Sequence, residues 1–365
     1  MAHIVIDARP IFWPGIGRYT AELLKNLEQL KTEHFFTVLM REQDAHLWHP
    51  SSPRFSVEFT DVNPQTISEQ IYLPWQLYGL KADLVHFTVP TPPVLYGLRQ
   101  ITTIYDFTLV DFKNIRGNAL LYQFKYWGFR LIMKNAIKRA AHILTITNFV
   151  RTQIPQRYKV DAAKISTTHC ATDLPTIPKH HTKPIVKDDY LLYVGSYYPY
   201  KNIPALVEAF HLLLKKNPKL KLVLAGKADY FQQKIRNLVL DMGLEKSVIF
   251  PGYVSDDELV NLYQHAKLYV FPSLSEGFGL PGLEAMSFGT PVASSTATCL
   301  PEVYGDAAVY FNPNNPSDIA SVIHATIHHP KTLGRLEKAG LKRIKEFSWK
   351  RMAEQTLEAY DQALK

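Results

Sequence analysis

Short apolar runs alternate with longer segments of helical spacing along nearly the whole chain. Short apolar runs between turn residues are typical of buried strands, and apolar residues three or four apart indicate amphipathic helices. Regular alternation of the two predicts parallel sheets covered by helices, the α/β class. The predicted strands are 4–7, 36–40, 84–87, 101–105, 143–147, 165–168, 191–195, 220–225, 248–250, 268–271, 291–293 and 308–310.

The clearest helical patterns lie between these runs and at the end of the chain. The strand–helix series restarts after a Pro-, His- and Lys-rich stretch, which predicts an interdomain linker. The predicted helices are 18–30, 202–216, 231–242, 256–266 and 349–364. The predicted organisation is a first domain over 1–175, a linker over 176–189, a second domain over 190–348 and a final helix over 349–365.

Composition agrees with two globular domains, since 46% of the 365 residues are hydrophobic and 20% are charged. The two cysteines, Cys170 and Cys299, are too few for a disulfide framework, and no signal peptide or membrane span is visible. We therefore expect a cytoplasmic protein. The net charge of +8 is uneven, because residues 1–180 hold 20 Lys and Arg against 14 Asp and Glu. This excess of +6 predicts an anionic partner.

A glycine turn follows the first predicted strand. Gly15 and Gly17 stand just before a helical pattern, where free N–H groups of a helix N-terminus suit a phosphate. An ordinary strand-to-helix turn is the alternative. No third glycine follows at the spacing of a dinucleotide-binding motif, which disfavours a dehydrogenase.

Two loops of the second half also end predicted strands. Lys201 follows Gly195 and precedes a helix, and an ammonium in that place suits a diphosphate. Tyr253 and Val254 lie in the loop after strand 248–250, where a ligand at the carboxyl end of the sheet would meet them. The alternatives are a solvated surface lysine and a plain connecting loop.

The most specific string runs from Glu276 to Glu284. Two glycines, Gly277 and Gly279, lie around Phe278 before a helix that opens near Leu280. A carboxylate accepts two hydroxyl hydrogen bonds at once, as the vicinal diols of a sugar offer. The alternative for Glu284 is a buried helix glutamate paired with a structural base.

This string resembles the signature of the retaining nucleotide-sugar glycosyltransferases of family 4, in particular mannosyltransferases. Further resemblance covers the Gly15 turn, the opening of the second domain around Gly195, and the start of the final helix. The resemblance implies the GT-B fold, with two Rossmann-like domains facing across a deep cleft. The C-terminal helix is then expected to cross back to the first domain.

The resemblance also implies residue roles. Glu284 would bind the donor ribose, and Glu276 with the backbone of 277–280 would hold the transferred sugar and diphosphate. Lys201 would bind the diphosphate, which Gly15 or Gly17 would approach from the first domain. Tyr253 and Val254 would meet the base. The predicted donor-binding residues are Gly15, Gly17, Ser196, Lys201, Tyr253, Val254, Glu276, Gly277, Phe278, Gly279, Leu280 and Glu284.

Two positions depart from the family pattern. Ser196 stands where many members carry an arginine, so neutralisation of the diphosphate rests more on Lys201 and helix dipoles. Tyr105 stands before Asp106 where many members have a histidine, and a tyrosine stays uncharged near neutral pH. The catalytic candidates are Glu276, Asp106 and Tyr105.

The expected reaction needs neither cofactor nor metal, because the sequence has no Asp-x-Asp pair to hold a metal on the diphosphate. Family likeness favours GDP-mannose as the donor, ahead of UDP-sugars and dTDP-rhamnose. The expected acceptor is a glycan or lipid-linked glycan of cell-surface polysaccharide assembly. A nucleotide-sugar epimerase of the same architecture is the main alternative. No nucleic-acid motif is present, and no nucleic-acid partner is expected.

A basic and aromatic segment, 112–139, belongs to the first domain and contains no acidic residue. Such a helix can lie in the headgroup region of an anionic membrane. We therefore expect a contact with the inner face of the cell membrane, the alternative being that its apolar residues pack on the sheet. Its basic residues are Lys113, Arg116, Lys125, Arg130, Lys134, Lys138 and Arg139.

Overall fold

The computed structural model describes residues 1–112, 119–172 and 183–365. Residues 176–182 of the predicted linker, and Lys113 and Arg116 of the basic segment, lie outside the described residues. The chain divides into two compact units. Unit 1 comprises Met1–Val110, Ile115–Cys170 and Ser348–Lys365, and unit 2 comprises Asp111–Asn114 and Ala171–Phe347.

Unit 1 is built on a seven-stranded parallel sheet in the order β3-β2-β1-β4-β5-β6-β7. The apolar runs that predicted these strands are buried because helices cover both faces of such a sheet. The strands are β1 (His3–Asp7), β2 (Phe35–Met40), β3 (Phe55–Phe59), β4 (Leu84–Phe87), β5 (Gln100–Ile104), β6 (His142–Thr145) and β7 (Ile165–Thr167).

The helices of unit 1 connect these strands, and the last helix of the chain returns to this unit, as predicted. This last helix packs on the first helix of unit 1. Its Tyr360 hydroxyl is hydrogen-bonded to His86 Nδ1 at 2.7 Å. The helices are α1 (Ile16–Leu27), α2 (Ile67–Gly79), α3 (Thr108–Asp111), α4 (Ala119–Arg139), α5 (Asn148–Tyr158) and α13 (Trp349–Leu364).

Unit 2 is built on a six-stranded parallel sheet in the order β10-β9-β8-β11-β12-β13. Its strands are β8 (Tyr190–Val194), β9 (Lys221–Ala225), β10 (Val248–Gly252), β11 (Leu268–Phe271), β12 (Val292–Ser295) and β13 (Ala308–Phe311). Its helices are α6 (Ile203–Leu214), α7 (Tyr230–Asp241), α8 (Asp256–His265), α9 (Leu280–Ser287), α10 (Leu300–Tyr304), α11 (Pro316–Ile327) and α12 (Pro330–Arg343).

Each predicted strand coincides with an observed one to within a few residues at either end, and the α/β prediction is confirmed. The sequence analysis missed β3, which lies at the edge of the first sheet. In both sheets the strand order reverses in the middle, between β1 and β4 and between β8 and β11. Ligands of open parallel sheets bind at the carboxyl ends of the strands at such a reversal.

Candidate functional site

The glycine turn before α9 lies at the carboxyl end of β11, beside the strand reversal of unit 2. Gly279 has a φ of +97°, and the Tyr304 hydroxyl donates a hydrogen bond of 2.6 Å to its carbonyl oxygen. A Cβ at Gly279 would lie 2.5 Å from that hydroxyl oxygen, and one at Gly282 would lie 2.3 Å from it. Both glycines are therefore needed for Tyr304 to pack against the start of α9.

Lys201 and Glu276 are brought together by this fold, although 75 positions separate them. Lys201 ends a short 3-10 turn after β8, and Glu276 follows β11, the neighbouring strand. The Lys201 Nζ atom lies 2.7 Å from Glu276 Oε1, and the two side chains are only 14% and 11% exposed. This partly buried ion pair places one cation and one carboxylate at the carboxyl ends of the two central strands, next to the glycine turn.

Asn202 fixes the turn that carries Lys201. It adopts a left-handed backbone conformation with a φ of +59°. Its side-chain amide donates to the carbonyl oxygens of Pro272 at 3.1 Å and Pro313 at 2.7 Å. The turn is thereby tied to the ends of β11 and β13, so the position of the ammonium is set by backbone groups of two other strands.

The backbone of Glu276 is held by a neighbouring loop. Its N–H donates to Thr298 Oγ1 at 3.1 Å, and its carbonyl oxygen accepts from Thr298 Oγ1 and from Cys299 Sγ, each at 3.3 Å. The carboxylate is left to face Lys201 while the main chain stays fixed.

Glu284 lies in α9 and is half-buried. The Tyr263 hydroxyl lies 3.4 Å from its Oε2 atom. Tyr263 itself is buried and stacks on Phe288 with ring centroids 5.6 Å apart. The Tyr263 phenol is thus one polar neighbour of the Glu284 carboxylate.

Gly195 and Ser196 begin the loop after β8. Gly195 has a φ of +152°, and a Cβ at Gly226 would lie 2.0 Å from its carbonyl oxygen, so this loop and the β9 loop approach closely. The Tyr193 hydroxyl donates to the Ser196 carbonyl oxygen at 2.6 Å. Burial, foremost, raises the pKa of Tyr193 well above its ordinary value, so the phenol stays a donor.

Tyr253 and Val254 follow β10 and line a groove of about 330 Å³ with Pro251 and Glu258. Tyr253 is 84% exposed, whereas Val254 is half-buried. Gly252 allows the chain to leave the strand with a φ of +80°. An exposed aromatic ring beside a groove offers a flat apolar surface to a ligand.

Gly15 and Gly17 lie at the start of α1, after β1 of unit 1. Gly15 has a φ of +75° and open space around it, whereas a Cβ at Gly17 would fall 1.9 Å from the Ile11 carbonyl oxygen. Gly17 is thus required for packing. Gly15 is exposed and is the glycine that leaves the N-terminus of α1 accessible.

Tyr105 and Asp106 follow β5, one strand away from the reversal of unit 1. The Tyr105 hydroxyl donates to the Thr88 carbonyl oxygen at 2.8 Å, and its ring packs edge-on against Tyr19. Burial is the largest cause that raises the Tyr105 pKa well above its ordinary value. Asp106 Oδ1 accepts from the Thr108 N–H at 2.8 Å and so caps α3.

Sequence reasoning missed three residues that hold the site of unit 2: Tyr193, Thr298 and Tyr304. Each acts on a backbone group, and none stands at a motif spacing from the loop it holds. Thr298 has a φ of +53°, which no sequence pattern marked.

Within the described ranges, no three His, Cys, Asp or Glu side chains are grouped so as to hold a metal ion. In the same ranges no helix is long and apolar enough to cross a bilayer.

Two family models match the chain: "Glycosyltransferase Family 4" over residues 13–175 and "Glycosyl transferases group 1" over residues 177–343. O-antigen chain mannosyltransferase B of Escherichia coli is 30% identical, over 98% of this chain and 99% of that protein. O-antigen chain mannosyltransferase RfbU of Salmonella typhimurium is 32% identical, over 57% of each.

Among solved structures, Anabaena Alr3699/HepE in complex with UDP and glucose aligns over 99% of this chain and all of that one, with a TM-score of 0.74 and 16% identity. This likeness concerns the fold. The solved structure supports the architecture, and the Escherichia coli relative, which aligns over nearly the full chain, supports the enzyme class. The chain belongs to the family 4 glycosyltransferases of the GT-B fold and is a mannosyltransferase-like enzyme that takes a nucleotide-sugar donor and a glycan acceptor.

Proposed function

We propose that this enzyme transfers mannose from GDP-mannose to a glycan or lipid-linked glycan during assembly of a cell-surface polysaccharide, with retention and without a metal ion or cofactor. The observation that carries the proposal is the Lys201–Glu276 pair beside the glycine turn. An ammonium and a helix N-terminus suit the diphosphate, and a carboxylate beside them suits sugar hydroxyls.

In this proposal Lys201 and the backbone of 277–280 neutralise the leaving diphosphate, with Ser196 beside them. Glu276 exchanges its contact with Lys201 for hydroxyls of the transferred sugar, and Glu284 binds the ribose. Tyr253 and Val254 meet the base, and Gly15 and Gly17 of unit 1 are candidates for a phosphate contact. All of these groups follow the carboxyl ends of strands.

The bond that breaks joins the anomeric carbon to the phosphate oxygen, and the bond that forms joins that carbon to an acceptor hydroxyl oxygen. The departing phosphate oxygen takes the acceptor proton, so no protein nucleophile is assigned. The developing charge on phosphate is met by Lys201 and the N-terminus of α9. Asp106 and Tyr105 are the unit 1 candidates for assisting at the acceptor side.

Mannose is favoured because the two O-antigen relatives carry mannosyltransferase names. The Anabaena structure, named as a complex with UDP and glucose, makes a uridine nucleotide the donor to test against GDP-mannose.

A lipid-linked acceptor would place the enzyme at the cytoplasmic face of the inner membrane. In α4 six exposed positions share one face, the apolar Leu120, Phe124, Trp127 and Leu131 followed by Lys134 and Lys138. An outward face of this composition supports contact with an anionic membrane through the described part of 112–139.

The test is turnover of the purified enzyme with GDP-mannose, UDP-glucose and dTDP-rhamnose on the same glycan acceptor, followed by mass spectrometry. We expect the product to gain one hexose with GDP-mannose and the other donors to react much more slowly. Preferred transfer from UDP-glucose or dTDP-rhamnose would overturn the proposed donor. The named relatives lend no support to the epimerase alternative.

A further inference from the structure

A polar groove of about 400 Å³ lies in unit 1 at the carboxyl ends of β2 and β3. Arg41 is the residue directly after β2, and Thr60 is the residue directly after β3. These strands lie on one side of the strand reversal, whereas Tyr105 and Asp106 follow β5 on its other side. The groove is therefore separate from the candidates for assisting at the reacting hydroxyl. Its lining residues are Arg41, Glu42, Gln43, Thr60, Asp61 and Asn63.

Arg41 joins the two sides of this groove. Its side chain is only 11% exposed, and its Nε atom donates to Asp44 Oδ2 at 2.6 Å. Its Nη1 atom donates to Asn63 Oδ1 at 2.7 Å, which ties the loop after β3 to the segment after β2. The guanidinium carbon atom lies 3.9 Å from the centroid of the Phe12 ring, on which the group stacks. One buried side chain thus holds the segments that line the groove.

The loop after β3 is also fastened to the core of unit 1. Arg9 is fully buried and pairs with Asp7 of β1 at 2.7 Å and with Glu69 of α2 at 2.6 Å. Its Nη1 atom donates to the Val62 carbonyl oxygen at 3.2 Å, and Glu69 Oε2 accepts from the Gln65 N–H at 2.8 Å. A loop held in this way presents its polar side chains in a fixed arrangement, which lowers the entropic cost of binding a ligand.

The groove offers more negative than positive charge. Glu42 and Asp61 are exposed carboxylates, whereas the charge of Arg41 is met by Asp44. Carboxylates repel phosphates and uronic acids but accept hydrogen bonds from hydroxyl groups. Phe12 remains 43% exposed beside Arg41 and adds an apolar surface for the C–H groups of a sugar ring. The chemistry that fits this groove is a neutral carbohydrate.

We propose that this groove, which we call the β2–β3 groove, binds a neutral hexose residue of the acceptor glycan other than the residue that reacts. Its assignment to the acceptor rests on the proposed function, in which unit 1 supplies the candidates at the acceptor side. In the sheet β2 lies three strands from β5, about 14 Å at the usual strand spacing. A glycan of several residues is long enough to contact both places, and shortening the acceptor should remove the contact with the groove.

The test is calorimetric titration of the full chain, without donor, with α-linked mannose oligosaccharides of two and of six residues. We expect the wild type to bind the hexasaccharide about tenfold more tightly than the disaccharide. Glu42→Ala/Asp61→Ala removes two exposed carboxylates and should weaken hexasaccharide binding about tenfold, with no matching loss for the disaccharide. The matched control is Asp241→Ala/Glu245→Ala, two exposed acids of unit 2, which should bind both ligands like the wild type.

A second variant separates hydrogen bonding from charge. Glu42→Gln/Asp61→Asn keeps an oxygen acceptor in each side chain but removes both negative charges. It should bind the mannose hexasaccharide within about threefold of the wild type, because neutral hydrogen bonds replace the charged ones. It should also bind an oligosaccharide of six hexuronic acid residues more tightly than the wild type does. Equal binding of the uronic acid chain by the two proteins would overturn the assignment to a neutral sugar.

Turnover provides a readout that distinguishes binding from chemistry. With GDP-mannose as the donor, the double alanine variant should raise the KM for the hexasaccharide about tenfold and leave kcat near the wild-type value. Wild-type affinity of that variant for the hexasaccharide would overturn the inference, as would equal affinity of the wild type for the two chain lengths.

The inference and the proposed function fail in different ways. A wild-type chain that binds the hexasaccharide through the β2–β3 groove but transfers no mannose from GDP-mannose would contradict the proposed function alone. A chain that transfers mannose, and whose double alanine variant binds and uses the hexasaccharide like the wild type, would contradict the inference alone.

Discussion

Lys201 is a charged side chain that is mostly buried and lies in the turn after β8, at the carboxyl end of the sheet. Its ammonium is paired with Glu276 at 2.7 Å and lies 5.3 Å from the Tyr200 ring centroid and 5.6 Å from that of Phe271. A partly buried ion pair of this kind is weak evidence for stability, because desolvation offsets the attraction. In the proposed function, its placement beside a helix N-terminus serves the diphosphate of the donor.

The first prediction concerns Lys201→Ala. We expect the variant to bind GDP roughly tenfold to a hundredfold more weakly, since a hydrogen bond to a charged group contributes about 1.5–3 kcal/mol. Guanosine, which offers no charge to the ammonium, should bind almost unchanged. Calorimetric titration with both ligands measures the difference, and Lys331→Ala, an exposed lysine of α12, is the control. Equal losses for the two ligands would mean that Lys201 acts only through the fold.

The second prediction concerns Gly282, which Tyr304 covers. A Cβ here would lie 2.3 Å from the Tyr304 hydroxyl oxygen and 2.4 Å from its Cζ atom. Gly282→Ala should therefore lower the free energy of unfolding by about 1–3 kcal/mol through overpacking. Gly334→Ala is the control, because nothing lies within 4 Å of its Cβ position in α12. Thermal unfolding should show a lower midpoint for Gly282→Ala than for Gly334→Ala, and equal midpoints would refute the packing argument.

Residue-level prediction from the sequence reached Lys201 and Glu276 because each stands in a local pattern of strand end, glycine and helix start. Their mutual contact depends on β8 and β11 being neighbours, which the pattern alone did not specify. Tyr304 escaped detection for a related reason. It reaches Gly279 only because α10 folds back onto the glycine turn.

At the level of elements, β3 is the strand that the sequence analysis missed. Phe55, Val57 and Phe59 alternate with polar residues, which is the pattern of a strand with one covered side. Strands such as β1 and β8 are instead nearly continuous apolar runs, since they are buried on both faces. The edge position of β3 thus explains its different pattern, and a search for alternation would have found it.

The third prediction concerns the attachment of α13 to unit 1. His86 is fully buried, with Nδ1 2.7 Å from the Tyr360 hydroxyl and Nε2 2.8 Å from Thr103 Oγ1. Burial lowers the pKa of His86 from 6.5 to about 3, so the folded chain holds it neutral while the unfolded chain protonates it below pH 6.5. This residue should therefore leave stability unchanged above pH 6.5 and cost about 1.4 kcal/mol per pH unit as the pH falls from 6.5 towards 3.

Denaturant unfolding of the wild type and His86→Gln over this pH range measures the effect. The variant is expected to be less stable at neutral pH but to lose stability with a shallower slope as the pH falls. The exposed His49 supplies the control, since His49→Gln should keep the wild-type slope. Parallel slopes for His86→Gln and the wild type would show that His86 is not held neutral by the fold.

For the whole molecule, the alternation of strands and helices was enough to predict two parallel α/β sheets, because burial and connection rules act along the entire chain. The return of the last helix to the first unit was expected from the family resemblance. The identity of the donor is harder to predict, because in the proposed function it depends on a few contacts, those of Tyr253 and Val254 with the base and of Glu276 with the sugar. Hydroxyl orientation distinguishes one hexose from another, and residue type alone does not encode it.

The most direct test of the account is real-time proton NMR of the purified enzyme with GDP-mannose, a glycan acceptor and a chelator. We predict loss of the donor anomeric signal, equal release of GDP, and a new α-mannosyl signal on the acceptor, at a rate that added chelator leaves unchanged. An isomerised nucleotide sugar without transfer, a β-linked product, or a strict requirement for Mg²⁺ would contradict the proposed metal-independent, retaining mannosyl transfer.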